Sequence, residues 1–164
     1  MHTDEERRIA ADGARMDTDE ERRIATDGAQ MHTDEETLNG ITERIIGAAY
    51  KVANELGCGF MEKVYENAMA HELRKQGLHV EQQHRIQVFY DGVVVGDYVA
   101  DMVVEGLVLV EIKAIKALEE IHSAQCINYL AATGMPICLL INFAKKVEVK
   151  RLAGRSAPPL RSVF

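Results

Sequence analysis

The chain lacks any apolar run approaching the roughly 18 to 20 residues that a bilayer-spanning helix needs, and its acidic start is the wrong composition for a signal or transit peptide. The expectation is a soluble, cytoplasmic protein with no membrane partner. Cysteine is scarce as well. Cys58, Cys126 and Cys138 are odd in number and widely spaced, with no Cys-x-x-Cys and no paired histidines at zinc spacing. That argues against a disulfide framework or a structural zinc site, and predicts reduced, buried thiols.

What the chain does contain is enough for one domain with a real core: 164 residues, 47% of them hydrophobic. The net charge of -7 would argue against a nucleic-acid partner, but it is unevenly placed. Residues 1–36 hold 5 Lys/Arg against 12 Asp/Glu, whereas residues 37–164 hold 14 of each. A neutral domain can still meet a polyanion through a local basic patch or a bound divalent cation.

Residues 1–36 form a tandem repeat with a 15-residue period, MHTDEERRIAADGAR followed by MDTDEERRIATDGAQ and the fragment MHTDEE. Each Thr-Asp-Glu-Glu can cap a helix and each Asp-Gly can stop it. With one Ile per full copy, the repeats cannot bury a core, so a solvated acidic extension of little fixed structure is expected.

From Leu38 the pattern turns helical, with Ile41, Ile45, Ala48, Ala49, Val52 and Leu56 at spacings of three and four and Gly57 as the stop. A second helix is predicted over Met61–Gln76, with Met61, Val64, Tyr65, Ala68, Met69 and Leu73 inward and Gly77 closing it. Strands follow at Gln82–Tyr90 and Val93–Val104 around Asp91-Gly92, a strong two-residue hairpin signal. A second hairpin leads through Glu105-Gly106 into Leu107–Lys113. A helix over Leu118–Thr133 ends at Gly134. Ile137–Ile141 reads as a central strand buried on both faces, and Val147–Leu152 as an edge strand. The class is α/β with a mixed sheet, because the helix at 118–133 can carry the chain back over the sheet. The divisions are an extension at 1–36, a domain at 37–152 and a tail at 153–164.

The stretch Asp101–Lys113, DMVVEGLVLVEIK, sets three charged groups among apolar ones. Glu111 and Lys113 share a face because side chains alternate along a strand. Whether Asp101 joins them depends on the loop. A two-residue turn at Glu105-Gly106 pairs Asp101 with Val110 and separates the acids. A three-residue loop, Val104–Gly106 with Gly106 left-handed, pairs Val103 with Leu107 and restores the match. Both are open at this point. If the groups converge, two carboxylates suit a hard divalent cation, with the carbonyl of Ile112 as a further oxygen, and Lys113 suits orientation of a nucleophilic water.

Asp101, nine intervening residues and then Glu111-Ile112-Lys113 resemble the signature of the PD-(D/E)xK nuclease superfamily. Residues 61–142 follow its order of helix, three-strand meander, helix and strand. Ala100, where a proline is common, is a departure at a variable position. Gly59-Phe60-Met61-Glu62-Lys63-Val64-Tyr65 further resembles the motif of the GxxExxY family of small prokaryotic proteins within that superfamily.

The resemblance implies a restriction-endonuclease-like fold and a Mg²⁺- or Mn²⁺-dependent nuclease acting on nucleic acid, DNA in preference to RNA. It implies Asp101, Glu111, Lys113 and Glu62 as catalytic residues, and Glu62, Asp101, Glu111 and Ile112 as metal ligands. Gln125 and Tyr129, four apart on a helix, resemble the Gln-x-x-x-Tyr element of RecB-type nucleases and are expected to contact substrate. Tyr65 is set with them, although a packing role with its hydroxyl tied down is the preferred reading of it, and His122 is placed to extend that face, with an ordinary surface helix histidine as the preferred reading. Lys116, Lys145, Lys146, Lys150 and Arg151 are candidates for phosphate contacts. The alternative is a catalytically inactive nucleic-acid-binding or regulatory module that keeps the fold.

Overall fold

The computed structural model describes residues 35–154. The expected acidic extension and C-terminal tail lie outside the described residues apart from 35–36 and 153–154. The chain divides between Asn39 and Gly40 into two units, and the second holds every element discussed below except the start of the first helix.

Helix α1 (35–56) buries Ile41, Thr42, Ile45, Ala48, Ala49 and Val52, and Gly57 ends it in a left-handed conformation. Helix α2 (Glu62–Lys75) buries Tyr65, Met69 and Leu73 at a spacing of four, together with Glu66 and Ala70. The inward stripe is thus narrower than the apolar pattern suggests. Met61 is the N-cap residue and 81% exposed, and Val64 is 39% exposed. The helix begins one residue later than expected, and its packed face runs through Glu66. Lys51 bonds Glu72 at 2.8 Å, and Arg44 donates to the carbonyl of Gln76, tying α1 to α2.

Five strands form one sheet in the order β1 (Val80–Tyr90), β2 (Val93–Val104), β3 (Val108–Lys113), β4 (Ile137–Phe143) and β5 (Val147–Ala153). β1–β2, β2–β3 and β4–β5 are antiparallel and β3–β4 is parallel, so the sheet is mixed. The parallel step needs a crossover, supplied by α3 (Glu120–Thr133), which Gly134 closes left-handed with its amide on the carbonyl of Leu130 at 2.9 Å. β4 is buried along its whole length and β5 is the edge, as their compositions imply. Asp91 and Gly92 both have positive φ, the two-residue turn expected there.

Helix α3 packs on the sheet through Cys126, Tyr129 and Leu130, against Leu109, Cys138 and Leu140. By alternation Glu111 and Lys113 lie on that same face of β3, while Val108, Val110 and Ile112 face the other way and are fully buried. All three thiols are free; Cys126 and Cys138 are buried as expected, but Cys58, in the loop between α1 and α2, is exposed.

Candidate active site

The register between β2 and β3 decides whether the acids meet. The structure pairs Val104 with Val108, Val103 with Leu109 and Met102 with Val110. Three residues therefore form the loop, with Gly106 left-handed at φ 67°, but neither register that the sequence left open is adopted: the loop is Glu105–Leu107, one residue beyond Val104–Gly106. The reason lies in Glu105, which itself takes φ 54°. Its amide donates to the carbonyl of His79 at 2.9 Å and its carboxylate accepts from the amide of His79 at 2.6 Å. That clasp holds a non-glycine residue in the left-handed region and slides the turn.

One further step along this register sets Asp101 opposite Glu111. The amide of Ile112 donates to Oδ2 of Asp101 at 2.7 Å, and the amide of Asp101 donates to Oε1 of Glu111 at 3.3 Å. Each carboxylate is thus anchored on the partner strand. Burial pushes the Asp101 carboxyl above its ordinary range against the pull of the Ile112 amide; Glu66 and Glu62 add to the rise and Lys113 opposes it. Glu111 is pushed up to about 8, first by burial and then by the charge of Asp101, with Lys113 and the Asp101 amide opposing.

Glu62 stands exposed in the first turn of α2, near enough for its charge to act on both acids. Gln125 and Tyr129 are brought together as their spacing implies: Nε2 of Gln125 donates to the Tyr129 hydroxyl at 2.7 Å. Burial, followed by the charges of Glu111 and Asp101, raises that phenol against the Gln125 bond. Ile112 contributes its amide to Asp101, with its side chain buried. Nδ1 of His122 accepts the amide of Glu119 at 3.0 Å, so the ring serves the start of α3. Lys116, Lys145, Lys146, Lys150 and Arg151 are all exposed.

Tyr65, set among the substrate contacts with packing as the preferred reading, is fully buried inside the fold and packs there. Its hydroxyl donates to the carbonyl of Gly57 at 2.8 Å and accepts from the amide of Phe60 at 3.3 Å, and its ring stacks on Phe143 at 4.4 Å. With both faces of its chemistry used, it shapes the loop ahead of Glu62.

Two residues escaped the sequence reading. Glu66 is buried, and its carboxylate accepts from Lys63 at 2.8 Å and from Gln82 and Gln83 at 2.9 Å each. Gln83 reaches it from a strand position held at φ 56°. The one available signal was its place a turn beyond Glu62 on α2. Asn142, the single polar side chain of β4, pairs in register with Lys113 and bonds both the amide and the carbonyl of Ile115 at 3.0 Å. It fixes the segment that leaves Lys113; a lone amide in an otherwise apolar strand was the clue.

Among the described residues no three His, Cys, Asp or Glu side chains are grouped so as to hold a metal ion. The donor chemistry of the acid pair nonetheless fits a hard divalent cation: two desolvated carboxylates on facing strands, both raised by burial and Glu111 also by the charge of Asp101, with Lys113 opposing.

No curated protein matches this chain. The crystal structure of an alkaline exonuclease from Laribacter hongkongensis is similar to it at 15% identity, over 56% of this chain and 55% of that one, with a TM-score of 0.43. The chain thus spans about half the length of that exonuclease. A family model described as the PD-(D/E)XK nuclease superfamily matches residues 39–152, a reach that takes in α2, the acid pair, Lys113 and α3. With most of its length inside that match, the chain belongs to the PD-(D/E)XK nuclease superfamily.

Proposed function

We propose that the protein is a metal-dependent nuclease that hydrolyses phosphodiester bonds of DNA at the Asp101–Glu111 pair, as a member of the GxxExxY branch. The observation that carries this reading is the acid pair itself, cross-bonded between β2 and β3 with Lys113 two residues on from Glu111 and on its face. Members of the superfamily generally use divalent metal ions. Here Asp101 and Glu111, with Glu62 and the carbonyl of Ile112, would hold Mg²⁺ or Mn²⁺, which supplies Lewis acidity toward the phosphate when bound.

The chain's own groups do the rest. Lys113 orients the attacking water and offsets charge developing on the scissile phosphate. Gln125 and Tyr129, already hydrogen-bonded to one another, present a preorganised polar pair to the nucleotide. Asn142 holds the Lys113 strand end, and Tyr65 holds the loop that delivers Glu62.

The test is degradation of DNA by purified protein in Mg²⁺ or Mn²⁺, with Asp101→Ala, Lys113→Ala and chelator as controls. All three are expected to abolish cutting; activity that persists in both variants would be contamination or another chemistry. One observation favours a rival, a module that binds nucleic acid or regulates without cutting: no three-acid cluster is assembled among the described residues. Binding unaffected by Lys113→Ala and by chelator, without cleavage, would select it.

A further inference from the structure

A groove of about 810 Å³ lies between α3 and the outer half of the β1–β2 hairpin. Phe89 and Tyr98 come from the hairpin, and Ile121, Gln125, Asn128 and Tyr129 from α3. Phe89, Tyr98 and Ile121 are 59%, 50% and 69% exposed, a large apolar surface left uncovered among the described residues. No Asp, Glu, Lys or Arg lines the groove. The lining instead combines aromatic rings with the side-chain amides of Gln87, Gln125 and Asn128.

That lining selects its occupant. A phosphate would meet no Lys or Arg there, only His122, whose Nδ1 already accepts the Glu119 amide, and a charged peptide would meet no carboxylate or lysine counter-charge. A purely aliphatic chain would offer no hydrogen-bonding partner to the amides of Gln87 and Asn128, nor to the part of Gln125 that Tyr129 leaves open. A nucleobase satisfies all of it, with a flat neutral face for the rings and hydrogen-bonding edges for the amides.

The groove shares Gln125 and Tyr129 with the candidate active site. Tyr129 lines it and sits within the influence of Asp101 and Glu111, and its ring lies 5.9 Å from that of Tyr98. Gly96 makes room for this arrangement, since a Cβ there would come within 2.8 Å of Cε2 of Tyr98. A base in a duplex stack has its faces covered by its neighbours, so only an unpaired one can use these rings.

We propose that the groove is a stacking subsite for an unpaired base next to the scissile bond, with Tyr98 and Phe89 as platforms, and that the substrate is single-stranded or frayed at the site. This rests on the nuclease reading above. The rival occupant is a second copy of the chain, its hairpin covering the same surface.

Binding of the full chain to a short single-stranded oligodeoxynucleotide, with and without a divalent cation, is compared with binding to an otherwise identical abasic strand carrying the same phosphates. The intact strand is expected to bind on the order of 10-fold more tightly. Tyr98→Ala and Phe89→Ala are expected to erase that difference while leaving abasic binding unchanged, Gly96→Ala to reduce it by displacing the Tyr98 ring, and Tyr98→Phe to keep it. Phe89→Ala, at an exposed position, keeps the test open if Tyr98→Ala fails to fold. Equal binding of both strands overturns the subsite, and cutting of both in the presence of the cation leaves the nuclease reading standing. No binding and no cutting of either strand overturns both. A concentration-dependent dimer that Phe89→Ala dissociates, with no preference for bases, assigns the surface to a second copy instead.

Discussion

Asp101 and Glu111 face each other across β2 and β3, and each carboxylate is hydrogen-bonded to a backbone amide of the other's strand. A buried acid pair of this kind opposes folding when nothing neutralises it. Stability is thereby set against a capacity to attract cations, and the relationship can be tested through either.

The metal-free protein should lose stability as pH rises from about 4.5 to about 8 on account of Glu111, whose carboxyl is raised from its ordinary 4.5 to about 8. In that window the folded state keeps a proton that the unfolded state has released, so folding takes one up and higher pH disfavours it. Glu111→Gln should flatten this slope and raise the unfolding free energy at the alkaline end by up to several kcal/mol, at about 1.4 kcal/mol per unit, read as a higher urea midpoint. A variant no more stable than the parent at alkaline pH would show that burial of this group costs nothing.

Glu66→Ala should destabilise the fold by about 1–3 kcal/mol, because it leaves the amides of Gln82 and Gln83 without their shared acceptor. Lys63→Ala should cost under about 1 kcal/mol, as that partner is largely exposed. A double-mutant cycle between Glu66 and Gln83 should show coupling; strict additivity would mean the left-handed Gln83 is held by something else.

Tyr65→Phe should lower stability by about 1 kcal/mol through loss of the bond to the carbonyl of Gly57, with nucleic-acid affinity unchanged. Affinity falling in step with Tyr65→Phe, at unchanged melting temperature, would return this residue to the substrate.

Gly154→Ala should destabilise by about 1–3 kcal/mol, since its Cβ would lie 2.8 Å from the carbonyl oxygen of Met135. The amide of Gly154 bonds the carbonyl of Pro136 at 2.8 Å, so the backbone has little room to retreat. Thermal melting measures it, and an unchanged melting temperature would mean the strand end relaxes freely.

Much of this was legible because it is governed by neighbours in the chain. Asp91-Gly92 forms its turn because both residues tolerate positive φ, and Gly134 stops α3 for the same reason. Gln125 and Tyr129 meet because four residues make about one helical turn. The continuous apolar run of β4 announced burial on both faces. Illegible were the outcomes set at long range. Met61 and Val64 are as apolar as Met69, yet α2 turns Glu66 inward instead, because Lys63, Gln82 and Gln83 are there to receive it.

The sequence by itself determined the order of elements, the shared face of Glu111 and Lys113, and a loop with Gly106 left-handed. It left two registers open for Asp101. The tertiary structure took neither but a third, with Val104 opposite Val108, through His79, which lies 26 residues before Glu105 and clasps its backbone and carboxylate at once. Alternation along a strand is local and can be read residue by residue. Which residue turns the corner depends on a partner that folding brings alongside, and the meeting of Asp101 with Glu111 follows from that contact.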